Sequence, residues 1–142
     1  MIVYDTDIFS LMQRSEAGEY PRLIERVCRH QRQDIKITII SFEEQARGWL
    51  AYVAQARTLK KQITAYGKPL ALLRDFSDID VLPFDEEAAF HYDRLRKSKL
   101  RIGTMDLRIA AIALANSATL ITRNISDFSK VPGLKAEDWT KD

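Results

Sequence analysis

Four acidic residues are the side chains of this sequence best placed to do chemistry. Asp5 follows a β-branched run and Glu44 follows a second one, while Asp106 opens a late helix and Asp127 comes after the last clear strand. Several carboxylates crowded into one site cannot all stay ionised without a counter-charge. A hard divalent cation, Mg²⁺ or Mn²⁺, prefers oxygen ligands and supplies that charge. The hypothesis is that these four acids converge on a metal.

Such a metal ion provides the chemistry for hydrolysis at phosphorus. It lowers the pKa of a bound water and polarises a phosphoryl oxygen, so no nucleophilic Ser or Cys is required. The only cysteine, Cys28, excludes an intrachain disulfide and a thiolate zinc site, and we expect it to be buried on a helix. His30 and His91 show no zinc-binding spacing and are interpreted as structural or surface residues.

Each of the four acids also has an ordinary structural interpretation. The clearest is Glu44, because Ser41-x-x-Glu44 ahead of an apolar helical pattern is typical of a capping box. Asp5 and Asp127 are compatible with turns, and Asp106 with the first turn of a helix. Their joint placement at strand ends and helix starts is what favours the metal site.

The elements that must position these acids alternate between strands and helices. Apolar runs predict strands at 2–4, 35–40, 79–82 and 118–122, with a last extended segment near 134–139. This alternation predicts an α/β fold with three layers, α/β/α, around a central, mainly parallel sheet of four to five strands. The carboxyl ends of the strands then share one edge, where open α/β sheets bind ligands. The first strand is expected in the middle of the sheet.

Helix boundaries follow from caps and breakers. Asp7 is expected to cap a short helix through Met12, and Thr104 to cap a buried helix carrying Asp106. An amphipathic helix near 23–28 has an arginine-rich side. A long helical region is expected to stop at Pro69 and resume beyond it, forming a hairpin of two helices.

Size and charge limit the class of protein. The chain has 142 residues, 46% of them hydrophobic, which fits one domain over 1–142. Its longest apolar run, 109–115, is too short to span a bilayer, and no secretory leader is recognised, so we expect a cytoplasmic protein without membrane contact. With 22 basic and 20 acidic residues, gathering acids at one site leaves a more basic surface, which weakly favours a polyanionic partner.

Nearly the whole chain resembles PIN-domain ribonucleases, and more narrowly the VapC-type toxins of bacterial toxin–antitoxin systems. The resemblance lies in five pieces that occur in the family's order and spacing: Ile2-Val3-Tyr4-Asp5-Thr6-Asp7, Ser41-Phe42-Glu43-Glu44 with Gly48, 103–111 around Asp106, 122–128 around Asp127, and Pro132-Gly133-Leu134 with Glu137-Asp138-Trp139. The last piece is similar to the subgroup that cleaves initiator tRNA in its anticodon loop.

This resemblance implies that Asp5, Glu44, Asp106 and Asp127 are catalytic metal-site residues of a single PIN-like nuclease domain. It also implies dependence on Mg²⁺ or Mn²⁺, an RNA substrate that is a tRNA, a homodimer, and a cognate antitoxin that blocks the site. Thr6, Asp7, Asn124 and Thr104 are the supporting residues. Asp7 departs from the family, which usually has Asn at this position.

Three basic residues flank the acids and are candidates for phosphate contacts: Lys99, Arg101 and Arg123. Ordinary solvated surface charge explains each of them equally well.

Other classes of protein remain as alternatives. Asp5-x-Asp7 after a strand resembles haloacid-dehalogenase-like phosphatases, although Phe9 stands where that class has Thr. A receiver-like signalling domain would need Asp where Ser41 follows the second strand. A non-enzymatic nucleic-acid-binding module would use the arginine-rich helix side, but gives no reason for acids at strand ends.

Overall fold

The fold was analysed in a computed structural model that describes residues 1–141, so Asp142, the last residue of the predicted domain, lies outside the described residues. Its centre is a parallel sheet with the order β3-β2-β1-β4-β5. The strands are β1 (Ile2–Tyr4), β2 (Ile35–Thr38), β3 (Asp80–Leu82), β4 (Thr119–Ile121) and β5 (Lys135–Glu137). The first strand therefore lies in the middle of the sheet, as predicted.

Helices connect the parallel strands. They are α1 (Thr6–Gln13), α2 (Pro21–Cys28), α3 (Ile39–Gln55), α4 (Leu59–Ser77), α5 (Glu86–Lys97), α6 (Thr104–Ala115) and α7 (Ile125–Phe128). Within residues 1–141, no helix combines the length and the apolar character needed to cross a bilayer.

Two hydrophobic cores lie on opposite faces of the sheet. Alternate residues of β1 point to different cores, because Ile2 and Tyr4 pack with α1, α2 and α4, whereas Val3 packs with α5 and α6. Helix α6 is buried over most of its length, including Ile109 and Ile112. This arrangement confirms the predicted three-layer α/β/α fold.

The second strand is shorter than the apolar run predicts. β2 ends at Thr38, and the Thr38 hydroxyl oxygen accepts a hydrogen bond from the backbone N–H of Ser41, at 3.2 Å. Ile39 and Ile40 therefore form the first turn of α3. Since Thr38 is the N-cap, the prediction of a capping box between Ser41 and Glu44 is wrong, and Glu44 is free of that role.

The helical hairpin is present, but its break is not at Pro69. Helix α4 runs through Pro69, and the chain turns at 56–58, where the Thr58 hydroxyl caps the backbone N–H of Lys61. The segment after Pro69 stays helical because Leu72 and Phe76 are buried in the core. Tertiary packing outweighs the lost backbone hydrogen bond.

Three further local predictions are wrong. Asp5, not Asp7, is the N-cap of α1, and Gly103, not Thr104, is the N-cap of α6. Cys28 is exposed rather than buried, because the single buried residue of α2 is Leu23.

Candidate functional site

Asp5 is the most buried acid of the site. It follows β1 directly and its side chain is 7% exposed. One carboxylate oxygen accepts the backbone N–H of Thr6 at 2.9 Å, and the other accepts the hydroxyl of Thr122 at 2.8 Å. Burial raises the pKa of Asp5, and these two hydrogen bonds oppose the rise. The carboxylate is thus held in one orientation at the carboxyl end of the central strand.

Thr6 contacts both Asp5 and Glu44, the first through its backbone N–H and the second through its hydroxyl. The Thr6 hydroxyl donates to Glu44 Oε1 at 2.9 Å and lies 2.8 Å from the hydroxyl of Ser41, which is fully buried. Because Thr6 has one hydroxyl proton, Ser41 must donate to Thr6. Burial is the main cause that raises the pKa of Glu44, with smaller contributions from Asp5 and Glu43. Thr6 therefore contacts two of the predicted acids, and its role as a supporting residue stays a prediction.

Asp106 carries the strongest electrostatic signal. It lies in the first turn of α6, and no group within residues 1–141 donates a hydrogen bond to its carboxylate. Its pKa is raised to about 6, mainly by burial and additionally by the negative charges of Asp5, Glu44 and Asp127. The four predicted acids therefore act on one another electrostatically, and Asp106 lacks a counter-charge.

Asp127 differs from the other three acids because a cation, Lys130, contacts its carboxylate. Asn124 donates its amide to one carboxylate oxygen at 3.0 Å, and Lys130 Nζ lies 3.2 Å from the other. These contacts lower the pKa of Asp127, the Asn124 hydrogen bond most strongly. Asn124, a predicted supporting residue, thus orients an acid at the edge of the site.

Asp7 and Arg123 form an ion pair beside the acids. Arg123 donates from Nε and Nη2 to the two Asp7 oxygens, at 2.6 and 2.8 Å, and from Nη1 to the hydroxyl of Tyr20 at 2.9 Å. Both charged side chains are partly exposed. The carboxylate that the family usually lacks is therefore matched by a bidentate guanidinium.

The remaining predicted residues lie around the start of α6. Thr104 is exposed at the first position of that helix. Arg101 is exposed just ahead of it, and its carbonyl accepts from Lys130, which also contacts Asp127. Lys99 is exposed in the same connector with a left-handed backbone, φ 54°. Phosphate contacts by Lys99, Arg101 and Arg123 stay predictions.

The donor set suits a hard cation, although no preformed cage is present. Within residues 1–141, no three acidic, histidine or cysteine side chains are close enough to hold a metal as they stand. However, Mg²⁺ typically keeps several waters and takes only one or two direct carboxylates. All the donors here are oxygens, and the uncompensated charge around Asp106 is of the sign that a cation neutralises. Asp5, Glu44 and Asp106 are the residues that fit this role, with Asp127 at the edge.

Sequence reasoning missed two residues that shape the site. Thr122 is fully buried, donates to Asp5 and accepts the backbone N–H of Asn124 at 2.9 Å. Lys130 ties Asp127 to the connector before α6. A polar Thr ending an apolar strand was a signal for the first. No sequence signal distinguished Lys130 from other surface lysines.

Comparison of the sequence with known proteins finds curated relatives that match part of the chain. The chain is 39% identical over 69 residues to Ribonuclease VapC2 of Rickettsia felis, covering 46% of this chain and 52% of that protein. It is 35% identical over 75 residues to the tRNA(fMet)-specific endonuclease VapC of Salmonella typhimurium, covering 49% and 57%. The chain therefore aligns with only about half the length of these curated relatives.

Solved structures match over nearly the whole chain. VapBC2 from Rickettsia felis, bound to a DNA fragment from its promoter, aligns with a TM-score of 0.71 at 28% identity, covering 98% of this chain and 99% of that one. VapBC-1 from nontypeable Haemophilus influenzae gives a TM-score of 0.71 at 28% identity, covering 99% and 100%.

The family profile decides between the classes left open by the sequence. At the position where a haloacid-dehalogenase-like phosphatase has Thr, Phe9 packs edge-on against Phe76 in the core, with ring centroids 5.0 Å apart. The profile of the PIN domain matches residues 2–134, which is most of the chain. Together with the acids at the carboxyl end of a parallel sheet, this match shows that the chain belongs to the PIN domain family.

Proposed function

We propose that this protein is a metal-dependent endoribonuclease of the VapC type that hydrolyses phosphodiester bonds in tRNA. The observation that carries the proposal is the convergence of negative charge on Asp106, whose pKa is raised to about 6 by burial and by Asp5, Glu44 and Asp127. A site that accumulates unneutralised carboxylates at the ligand-binding end of a parallel sheet is suited to a divalent cation. Mg²⁺ or Mn²⁺ is the proposed cofactor.

Hydrogen bonds from residues of this chain hold three of the four acids in their orientations. Thr122 and the Thr6 backbone hold Asp5, the Thr6 hydroxyl holds Glu44, and Asn124 holds Asp127. Asp106 exchanges a proton near pH 6 when no cation is present. When bound, the cation lowers the pKa of a coordinated water and offsets the charge that develops on the phosphoryl group.

The choice of tRNA rests on the names of relatives. The Salmonella typhimurium and Shigella flexneri proteins are named tRNA(fMet)-specific endonucleases, at 35% and 37% identity. We extend that substrate to this chain, with the anticodon loop of initiator tRNA as the proposed target. Inhibition of translation in the cytoplasm follows from loss of that tRNA.

A protein partner is part of the proposal. The matched structures from Rickettsia felis and Haemophilus influenzae are VapBC complexes. We infer a cognate antitoxin that neutralises the nuclease, and a homodimer as the active assembly. Purification of the tagged protein from its source cells, followed by size-exclusion chromatography with light scattering, tests both.

The test of the activity is cleavage of a panel of purified tRNAs with Mg²⁺, with Mn²⁺ and with EDTA. Metal-dependent cutting at one discrete position, absent in Asp5→Ala, is expected. Asp34→Ala is the matched control, because Asp34 is an exposed aspartate just before β2, at the opposite end of the sheet. Cleavage that persists in EDTA, or that survives Asp5→Ala, would contradict the proposal. Phosphatase activity on small phosphoesters without RNA cleavage would also contradict it.

A further inference from the structure

A groove lies beside the acidic site, between α1, α3 and α4. Its volume is about 540 Å³, within the range of about 300–1,000 Å³ that holds small ligands. The lining residues that matter here are Gln13, Arg14, Gln45, Trp49, Lys68 and Asp75. None of them belongs to the acidic site described above, so the groove has no role in that chemistry.

Two lining residues, Ser10 and Gln45, place the groove one helical turn from residues that contact the acids. Ser10, on α1, lies one turn beyond Thr6 and donates its hydroxyl to the Thr6 carbonyl at 3.0 Å. On α3, Gln45 follows Glu44 directly and lies one turn beyond Ser41. Gln45 also donates to the Ser10 hydroxyl at 3.1 Å. A polymer bound at the acids can therefore extend into the groove.

Two amides face each other in the groove. Gln13 Nε2 donates to Gln45 Oε1 at 2.9 Å, and Gln45 Nε2 donates back to Gln13 Oε1 at 2.7 Å. Each amide also has a fixed anchor, because Gln13 reaches Asp75 at 3.2 Å and Gln45 reaches Ser10. A paired donor and acceptor of this kind is the face that a glutamine presents to adenine. The edge of an adenine base can take the place of the Gln13 amide. Each hydrogen bond that Gln45 makes to Gln13 is then replaced by one to adenine.

The walls carry an aromatic ring and positive charge. Trp49 is one turn beyond Gln45 on α3, and Lys68 Nζ lies 5.3 Å from the centre of its ring. Arg14 lies across the groove and, within residues 1–141, pairs with the half-buried Glu16 at 3.4 Å. The charged residues that line the groove are basic Arg14 and Lys68 and acidic Asp75, whose carboxylate accepts from Gln13; the surrounding helices and the turn between them add Arg47, Arg57, Lys60, Lys61 and Arg74. These side chains favour binding of a nucleic acid, because bases stack on aromatic rings and cationic side chains contact phosphates.

We infer that this groove is a nucleotide subsite in which Gln45 reads an adenine base of the RNA, Trp49 stacks on it, and Lys68 and Arg14 contact the flanking phosphates. This inference rests on the proposed function, because it assigns substrate selection to residues outside the acidic site. Gln13 is the partner that holds the Gln45 amide in place when no RNA is bound.

The test measures binding of labelled ten-nucleotide RNAs, oligo(A), oligo(C) and oligo(U), to the full chain in EDTA by fluorescence anisotropy. We expect oligo(A) to bind about tenfold more tightly than the others, since one bidentate contact to a base edge discriminates against the wrong base by about this factor or more. Gln45→Met should remove this preference. Trp49→Leu should weaken binding of all three RNAs by about tenfold.

Two further variants separate base reading from a structural role. Gln13→Met frees the Gln45 amide, so oligo(A) should bind about threefold more tightly, the equivalent of one net hydrogen bond. If the amide pair served stability alone, both glutamine variants would act alike. Gln33→Met is the matched control, because Gln33 is exposed, bonds only Gln31 and lies before β2 at the far end of the sheet.

The outcomes distinguish this inference from the proposed function. Metal-dependent tRNA cleavage by the wild type, with equal affinity for the three RNAs or an unchanged preference in Gln45→Met, would overturn the subsite alone. Absence of both cleavage and RNA binding would overturn both proposals. If Gln45→Met loses binding of a protein partner while RNA binding is unchanged, the groove is a protein-binding site and the inference is wrong. Circular dichroism checks that each variant is folded.

Discussion

The two ends of the sheet carry similar residue types but organise them differently. At the carboxyl end, Asp5 is nearly buried and Asp106 has no hydrogen-bond donor within residues 1–141. At the amino end, a depression contains charges of both signs, including Arg29, Asp34 and Lys135. His30 stacks there on Trp139, with ring centroids 5.1 Å apart, and its Nδ1 lies 2.9 Å from the Arg26 carbonyl oxygen. At the carboxyl end no cation contacts Asp5, Glu44 or Asp106 within residues 1–141, whereas the depression mixes the two signs of charge.

This difference shows which groups of charged residues have raised pKa values. Mixed charges in contact with water neutralise one another and contribute little, as expected for exposed pairs. Acids that are partly buried and of one sign cannot do so, and their pKa values rise. The direction of the strands explains the contrast, because loops leaving the carboxyl ends bring Asp5 and Thr122 together with the starts of α3 and α6.

The largest predicted effect is on RNA cleavage, and it compares an acid at the carboxyl end of the sheet with one at the amino end. Asp106→Asn should lower the rate of metal-dependent RNA cleavage by about 100-fold or more, because it removes a charge that the cation requires. Asp34→Asn, the same change at the amino end, should leave the rate within about twofold. The measurement is single-turnover cleavage at saturating enzyme, with circular dichroism to confirm the fold. Full activity in metal-loaded Asp106→Asn would remove the basis of the metal-site assignment.

The second prediction compares Thr122, which directly follows β4, with Thr119, the first residue of that strand. Thr122→Val should lower the free energy of unfolding by about 2 kcal/mol, because it removes a buried hydroxyl that contacts both Asp5 and Asn124. Thr119→Val is the control at the other end of β4, where the hydroxyl makes no side-chain hydrogen bond within the described residues, and should change stability by less than about 0.5 kcal/mol. Urea denaturation at pH 7.5 measures both. Equal effects would show that burial of β4, rather than support of Asp5, dominates.

The third prediction concerns pH. The folded-state pKa of Asp106, about 6, lies above its ordinary value of 3.8, so folding disfavours its ionised form. The resulting destabilisation is absent below about pH 4, grows as pH rises and is complete above about pH 6. In EDTA, Asp106→Asn should therefore be more stable than the wild type at pH 7.5 by about 1 kcal/mol, a value reduced for solvent screening of this half-exposed group.

Denaturation at several pH values from 4 to 8 measures this difference. The gap between wild type and Asp106→Asn should shrink as the pH falls. Addition of Mg²⁺ at pH 7.5 should stabilise the wild type more than the variant. A gap that does not depend on pH would mean that Asp106 is ionised without difficulty, and would contradict the electrostatic account of the site.

The smallest predicted effect concerns the ion pair between Asp7 and Arg123. Asp7→Asn should lower stability by about 0.5 kcal/mol, because the pair is bidentate but partly exposed. Glu25→Gln breaks an exposed pair with Arg29 on α2, and should cost less still. Thermal unfolding at low and high salt compares them. A loss of RNA cleavage beyond about tenfold in Asp7→Asn, without loss of stability, would instead place Asp7 in the metal site.

Much of the fold was predictable from local patterns. The apolar runs located all five strands to within a few residues, and their alternation with helices gave the parallel three-layer arrangement. Errors occurred where tertiary contacts outweigh local preference. Ile39 and Ile40 read as strand but begin α3, and Pro69 lies inside α4. The caps of α1 and α6 were also displaced by one or two residues.

The sequence by itself determined the kinds of residue that lie at the carboxyl end of the sheet, because periodicity fixes where strands end and parallel strands end on the same side. Only the tertiary structure decided how these residues differ from one another. In the structure Thr122 donates a hydrogen bond to Asp5, Lys130 contacts Asp127, and Arg123 pairs with Asp7. Asp106 has no partner of opposite charge within residues 1–141. These contacts join residues on different elements, and the pKa of each acid depends on its burial and neighbours in space rather than along the chain.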